Sequence, residues 1–105
     1  MTKYQEQLAD DVSRLREVVS AGVAKRTVVT LSEGAAVEVS GGTEHFYGVF
    51  PLVGSVTVGN GVGVHRDPQT GKPWSADEEH KLEVVVKRAY RVARRARARD
   101  AASLL

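Results

Sequence analysis

This sequence predicts an α+β fold in one small domain: an N-terminal helix, an antiparallel sheet of three to five strands, and a long C-terminal helix. Three observations carry the expectation. Apolar residues recur at three- and four-residue spacing near both ends of the chain. The middle is rich in β-branched residues punctuated by glycines. A length of 105 residues allows one hydrophobic core, so residues 1–105 are read as a single domain.

The first helix is expected over Thr2–Ala21. Tyr4, Leu8, Val12, Leu15, Val18 and Val19 fall on one side, with Glu6, Asp10, Arg14 and Glu17 on the other. Gly22 stands where a helix takes a left-handed terminal residue. From Arg26 the period changes. Arg26–Leu31 is β-branched, Ser32-Glu33-Gly34 is a turn cluster, and Ala36–Ser40 alternates. Gly41-Gly42 marks a second turn, and a third strand is expected over Glu44–Phe50. Pro51 should interrupt it, because proline cannot donate to a central ladder and is confined to an edge, a bend or a bulge. Strands over Val53–Val58 and Val62–Arg66 are expected to form a hairpin through Gly59-Asn60-Gly61.

A loop over Asp67–Pro73 follows, and Trp74 is expected to pack it against the core. Ser75 with Glu78 three residues on spells a capping box for the last helix. Its apolar positions are Leu82, Val85, Val86, Ala89, Val92, Ala93 and Ala96. The helix is expected to end near Asp100, leaving residues 101–105 as a flexible tail.

Composition narrows the class. Hydrophobic residues at 42% and charged residues at 27% describe a globular chain rather than a disordered one. Aromatics make up 6%, so the core rests on Val, Leu and Ala, and a core that light gains from oligomerisation. The absence of cysteine excludes disulfides and thiolate metal sites. Isoleucine is absent and arginine outnumbers lysine ten to five, a bias of GC-rich coding that suggests a bacterial or phage source. The N-terminus lacks the apolar run of a secretory signal. The charge-free stretch Phe46–Val64 contains Pro51, Asn60 and five glycines, which suits strands and turns rather than a membrane span. A cytoplasmic protein is expected, or a virion component if phage-encoded, with no membrane partner.

The functional signal lies in the last helix. Lys81–Arg99 carries eight basic residues against one acid, Glu83, a local charge of +7 in a chain of net +2, so the remaining residues sum to −5. On a helical wheel Lys87, Arg88, Arg91, Arg94, Arg95 and Arg99 share one arc, opposite Leu82, Val85, Ala89, Val92, Ala93 and Ala96. Guanidinium forks suit phosphate oxygens and stay charged at any accessible pH. Two plainer explanations compete: a solvated face shaped by the helix dipole, and neutralisation by Asp10, Asp11 and Glu17 of the first helix.

Signs of catalysis are weak. No serine sits in a nucleophile elbow, and an enzyme would need carboxylates such as Glu38, Glu44 and Asp67 to converge. His45, His65 and His80 lack metal-ligand spacing, although Glu79, His80 and Glu83 share one helical turn. Gly59–Gly63 has the composition of a phosphate-cradling loop without its strand–loop–helix order, and is read as the hairpin turn. No catalytic residue, metal ligand or cofactor is assigned. In layout the chain resembles a double-stranded-RNA-binding domain. It is also similar in length and order to small nucleoid-associated proteins. No motif is shared with either, so no residue role is carried over.

The reading is a non-enzymatic protein that contacts DNA or RNA backbone through Lys87, Arg88, Arg91, Arg94, Arg95 and Arg99. The rival is a structural subunit of a homo-oligomeric assembly, such as a phage particle or connector. There the arginine face would meet the acid excess of a second copy.

Overall fold

The computed structural model describes residues 2–22, 25–43, 46–66 and 75–103. Helix α1 (Lys3–Ala21) leads into β1 (Arg26–Thr30), a 3-10 turn (Ser32–Gly34), β2 (Ala36–Thr43), β3 (Phe46–Val53), β4 (Val56–Thr57) and β5 (Val62–His65). Helix α2 (Ala76–Ser103) closes the domain. The expected order of helix, antiparallel sheet and long helix is what the chain adopts. Glu44, His45, Trp74 and residues 67–73, where a loop was expected, lie outside the described residues.

The sheet is an antiparallel meander, β1 on β2 on β3, with β4 and β5 both paired to the far edge of β3. Alternation puts Val29, Val37, Val39, Tyr47, Val49 and Val64 on one face, where they join Leu8, Val12, Leu15 and Val19 of α1. Leu82, Val85, Val86, Ala89, Tyr90 and Ala93 of α2 complete the same core. On the other face, which no helix among the described residues covers, Val28 and Phe46 are exposed. There Glu38 is held by Arg26, whose Nε lies 2.7 Å away, and by the Ser40 hydroxyl at 3.0 Å.

Several boundaries differ from the sequence expectation, each for a physical reason. Pro51 does not interrupt the third strand on the β2 side: β3 runs through it, and it is buried opposite Val37. Its carbonyl accepts from Val58 N–H at 2.9 Å, so its nitrogen faces that same edge rather than β2. The missing donor therefore points into a gap: β5 stops pairing at Val49↔Val62, and β4 begins at Leu52↔Thr57.

The hairpin is also elsewhere. Val53 pairs with Val56 around Gly54-Ser55, and Gly54 takes the positive φ of 60° that a type II′ turn needs. Gly59-Asn60-Gly61 instead belongs to a bulge joining β4 to β5 end to end along β3. Gly41-Gly42 is not a turn but the irregular end of β2, with a register shift between Gly41 and Thr43.

The helices are capped differently from expectation. Thr2 and Gln5 form a complete capping box on α1, Gln5 N–H donating to Thr2 Oγ1 at 3.1 Å. On α2 the Ser75 hydroxyl accepts from Glu78 N–H at 3.4 Å, but the Glu78 carboxylate turns to the His65 amide at 2.9 Å. Gly22 has the expected positive φ of 88°, yet its ψ of 140° lies outside the left-handed helical region. Helix α2 continues through residues 101–103, which were expected to be tail.

Glycines 61 and 63 make room for the two phenylalanines of β3. A Cβ on Gly61 would sit 2.6 Å from the Val49 carbonyl oxygen, which is backbone and cannot yield. A Cβ on Gly63 would meet the Phe46 ring, with Cε2 at 2.9 Å, but that ring is 38% exposed and can swing outward. Gly61→Ala is therefore expected to cost about 1–3 kcal/mol in urea denaturation, and Gly63→Ala less than about 1 kcal/mol. Equal costs would contradict this account.

Candidate functional site

The arginine face is presented by the way α2 docks. Its buried stripe of Leu82, Val85, Val86, Ala89, Tyr90 and Ala93 sits on the sheet and on α1, turning the opposite side to solvent. The two helices run antiparallel. Tyr4 meets Tyr90 edge-on at 6.1 Å, while Arg16 lies 3.4 Å from Glu79 at the other end. Tyr4, expected to be buried, is 45% exposed.

One polar network locks this arrangement. Asp11 is fully buried, accepting from Ser32 N–H at 3.1 Å, from the Ser32 hydroxyl at 3.2 Å and from the Tyr90 hydroxyl. Burial pushes the Tyr90 phenol well above its ordinary pKa, and the neighbouring Asp11 carboxylate adds to the shift. Asp11 therefore faces the core and cannot neutralise the arginine row. Arg97, which falls off the arc, donates to the Glu33 carbonyl. Asp11 and Arg97 thus grip both sides of a turn in which Glu33 is held at φ 60°, a conformation costing a non-glycine residue about 1 kcal/mol.

The six arc residues divide into three groups. Lys87 is half-buried and paired with Glu83 at 3.0 Å, one turn back on α2. Arg88 is half-buried, donating from Nη1 to the Asn60 carbonyl at 3.1 Å. Arg91, Arg94, Arg95 and Arg99 are exposed, and make no hydrogen bond or ion pair with the described residues.

The helix dipole accounts for little of this. Because α2 runs to Ser103, its last turn holds no basic residue, and Arg88–Arg95 lie two to four turns upstream, beyond the dipole's reach.

A solvent-open groove of about 260 Å³ lies between this face and the sheet edge. Arg88, Arg91, Val92 and Arg95 form one wall; Val58, Gly59 and Asn60 of the bulge, with Pro51, form the other. Sequence reasoning missed Gly59 and Asn60 as neighbours of the arginines because it folded them into a hairpin. It also missed Tyr90 as the largest buried side chain of α2.

The remaining candidates stand apart. Glu38 is engaged on the open sheet face, and Glu44 and Asp67 lie outside the described residues. Glu79 and Glu83 are each paired with a cation, and no three metal-binding side chains converge among the described residues. Nor is any helix among them long and apolar enough to cross a membrane.

Fold and site together define a two-layer α+β domain bearing one cationic helix face. Comparison with protein-family models, curated proteins and solved structures found no match for this chain.

Proposed function

We propose that this chain is a non-enzymatic nucleic-acid-binding protein that grips the phosphate backbone with the exposed face of α2. The observation carrying the reading is the set Arg91, Arg94, Arg95 and Arg99. These four guanidinium groups lie on one rigid helix over about 12 Å of axis, with no acidic partner among the described residues. Arg88 adds a fifth cation, whereas Lys87 is partly neutralised by Glu83. Contacts of this kind bind DNA or RNA with little preference for sequence. Action in the cytoplasm fits the reading, or in a virion if the source is a phage.

Four to five neutralised phosphates set the test. The logarithm of affinity for duplex DNA should fall against the logarithm of salt with a slope of about −4, a loss of a few hundredfold between 50 and 200 mM. A flat response, or no binding at 50 mM, would sink the proposal.

A second reading has its own observation. Glu6, Asp10 and Glu17 are exposed along α1 and form no ion pair with the described residues. They offer a second copy an acidic strip for the arginine face, as a structural subunit of a homo-oligomer would use. Molar mass measured over the same salt series distinguishes the two, because only assembly makes mass salt-dependent without nucleic acid.

A further inference from the structure

The geometry points to a discrete phosphate-oxyanion site in the groove between α2 and the bulge joining β4 to β5. Arg88, Arg91 and Arg95 form its cationic wall, and Gly59-Asn60 lies opposite. This deepens the nucleic-acid reading and rests on it for the duplex ligand: within the row, one segment is built to hold a single phosphate.

Three observations converge on the groove. The first is charge without compensation. Arg88, Arg91 and Arg95 are neighbours at i, i+3 and i+7 on one helix, a spacing at which like charges destabilise one another. No carboxylate lines the groove among the described residues. The second is partial desolvation. Arg88 is half withdrawn from water, and its partner among the described residues is the neutral Asn60 carbonyl rather than an acid. A cation in that position gains more from an anion than one in open solvent. The same hydrogen bond fixes the Arg88 fork and joins the two walls.

The third is the backbone opposite. Gly59 takes φ 74°, and a Cβ there would meet nothing within 4 Å, so glycine serves the conformation and not the space. The amides of Gly59 and Asn60 lie outside the ladder and find no backbone acceptor among the described residues. They are donors beside three guanidinium groups, a combination suited to the oxygens of a phosphate. Arg94 and Arg99 belong to the same helical arc but do not line the groove.

That difference supplies the test, since two double variants remove equal charge from exposed positions. Arg91→Gln/Arg95→Gln strips the groove, and Arg94→Gln/Arg99→Gln strips the row outside it. The groove pair should weaken binding of a mixed-sequence duplex at least about tenfold more than the other pair at the same salt. Inorganic phosphate, titrated at constant ionic strength, should shift the Gly59 and Asn60 amide resonances in the wild type and the outer pair, but not in the groove pair.

A larger duplex loss without a response to inorganic phosphate assigns the site to a backbone diester. A phosphate response lost in the groove pair, with no duplex binding by the wild type, keeps the site with free phosphate as its ligand and ends the nucleic-acid reading. Equal duplex losses and no groove-dependent phosphate response overturn the site while leaving the row in place. If neither ligand binds, both proposals fall.

Discussion

Asp11→Ala is expected to lower the free energy of unfolding by about 3–5 kcal/mol, a large share of what a domain of this size has. The substitution leaves three donors without an acceptor in the interior: Ser32 N–H, the Ser32 hydroxyl and the Tyr90 hydroxyl. Each orphaned group costs about 1–3 kcal/mol, partly relieved by relaxation. Asp11→Asn keeps the volume and one carbonyl oxygen and should lose less. Urea denaturation of the two variants measures the difference. A loss below about 1 kcal/mol for Asp11→Ala would mean that the network does not hold α1, the 3-10 turn and α2 together.

The same network fixes a pH dependence. Folding raises the Tyr90 pKa, so its neutral form is favoured in the native state. The associated stability is fully present below the ordinary tyrosine value of about 10, and is lost as pH rises beyond it. Wild-type stability should therefore fall more steeply than that of Tyr90→Phe above about pH 10. Parallel curves for the two proteins would contradict the assignment.

Arg91→Glu/Arg95→Glu is expected to weaken nucleic-acid binding about a thousandfold at low salt. The double reversal changes the local charge by four units, and each unit a few ångströms from a phosphate contributes about 1 kcal/mol even in bulk water. Both side chains are exposed and make no hydrogen bond or ion pair with the described residues, so thermal stability should stay within about 0.5 kcal/mol of wild type. Thus a lost complex can be separated from a lost fold. Unchanged duplex affinity with a lower molar mass would transfer the arginine face to the assembly reading.

Much of the architecture is legible in the sequence, and the legible part is local. Leu8, Val12, Leu15 and Val19 mark the buried side of α1, and Leu82, Val85, Val86, Ala89 and Ala93 mark that of α2, because helical geometry alone brings positions three and four apart onto one face. Asp11 gave a faint signal: it lies three residues after Leu8 and four before Leu15, within the apolar stripe. Nothing local told that its partners are Ser32, 21 residues away, and Tyr90, 79 residues away. Pro51 was legible only in part for the same reason: proline pointed to an edge, a bend or a bulge, and distant strands chose among them. Whether a proline ends a strand depends on which edge its nitrogen faces, and hence on where β4 and β5 divide.

The arginine arc followed from periodicity and is where α2 displays it. Its division into a paired lysine, a tethered Arg88 and four arginines that bond to no described residue did not, because Asn60 and Arg88 stand 28 positions apart in the chain. Local pattern suffices for the two amphipathic helices, the strand-rich middle and the cationic arc, since each is a repeat set by backbone geometry over a few residues. Long-range packing makes Asp11 a core residue, turns the glycines into a bulge rather than a hairpin, and sets this bulge against three arginines. Those outcomes depend on strand register and helix docking, in which contacts between distant segments select among locally equivalent conformations.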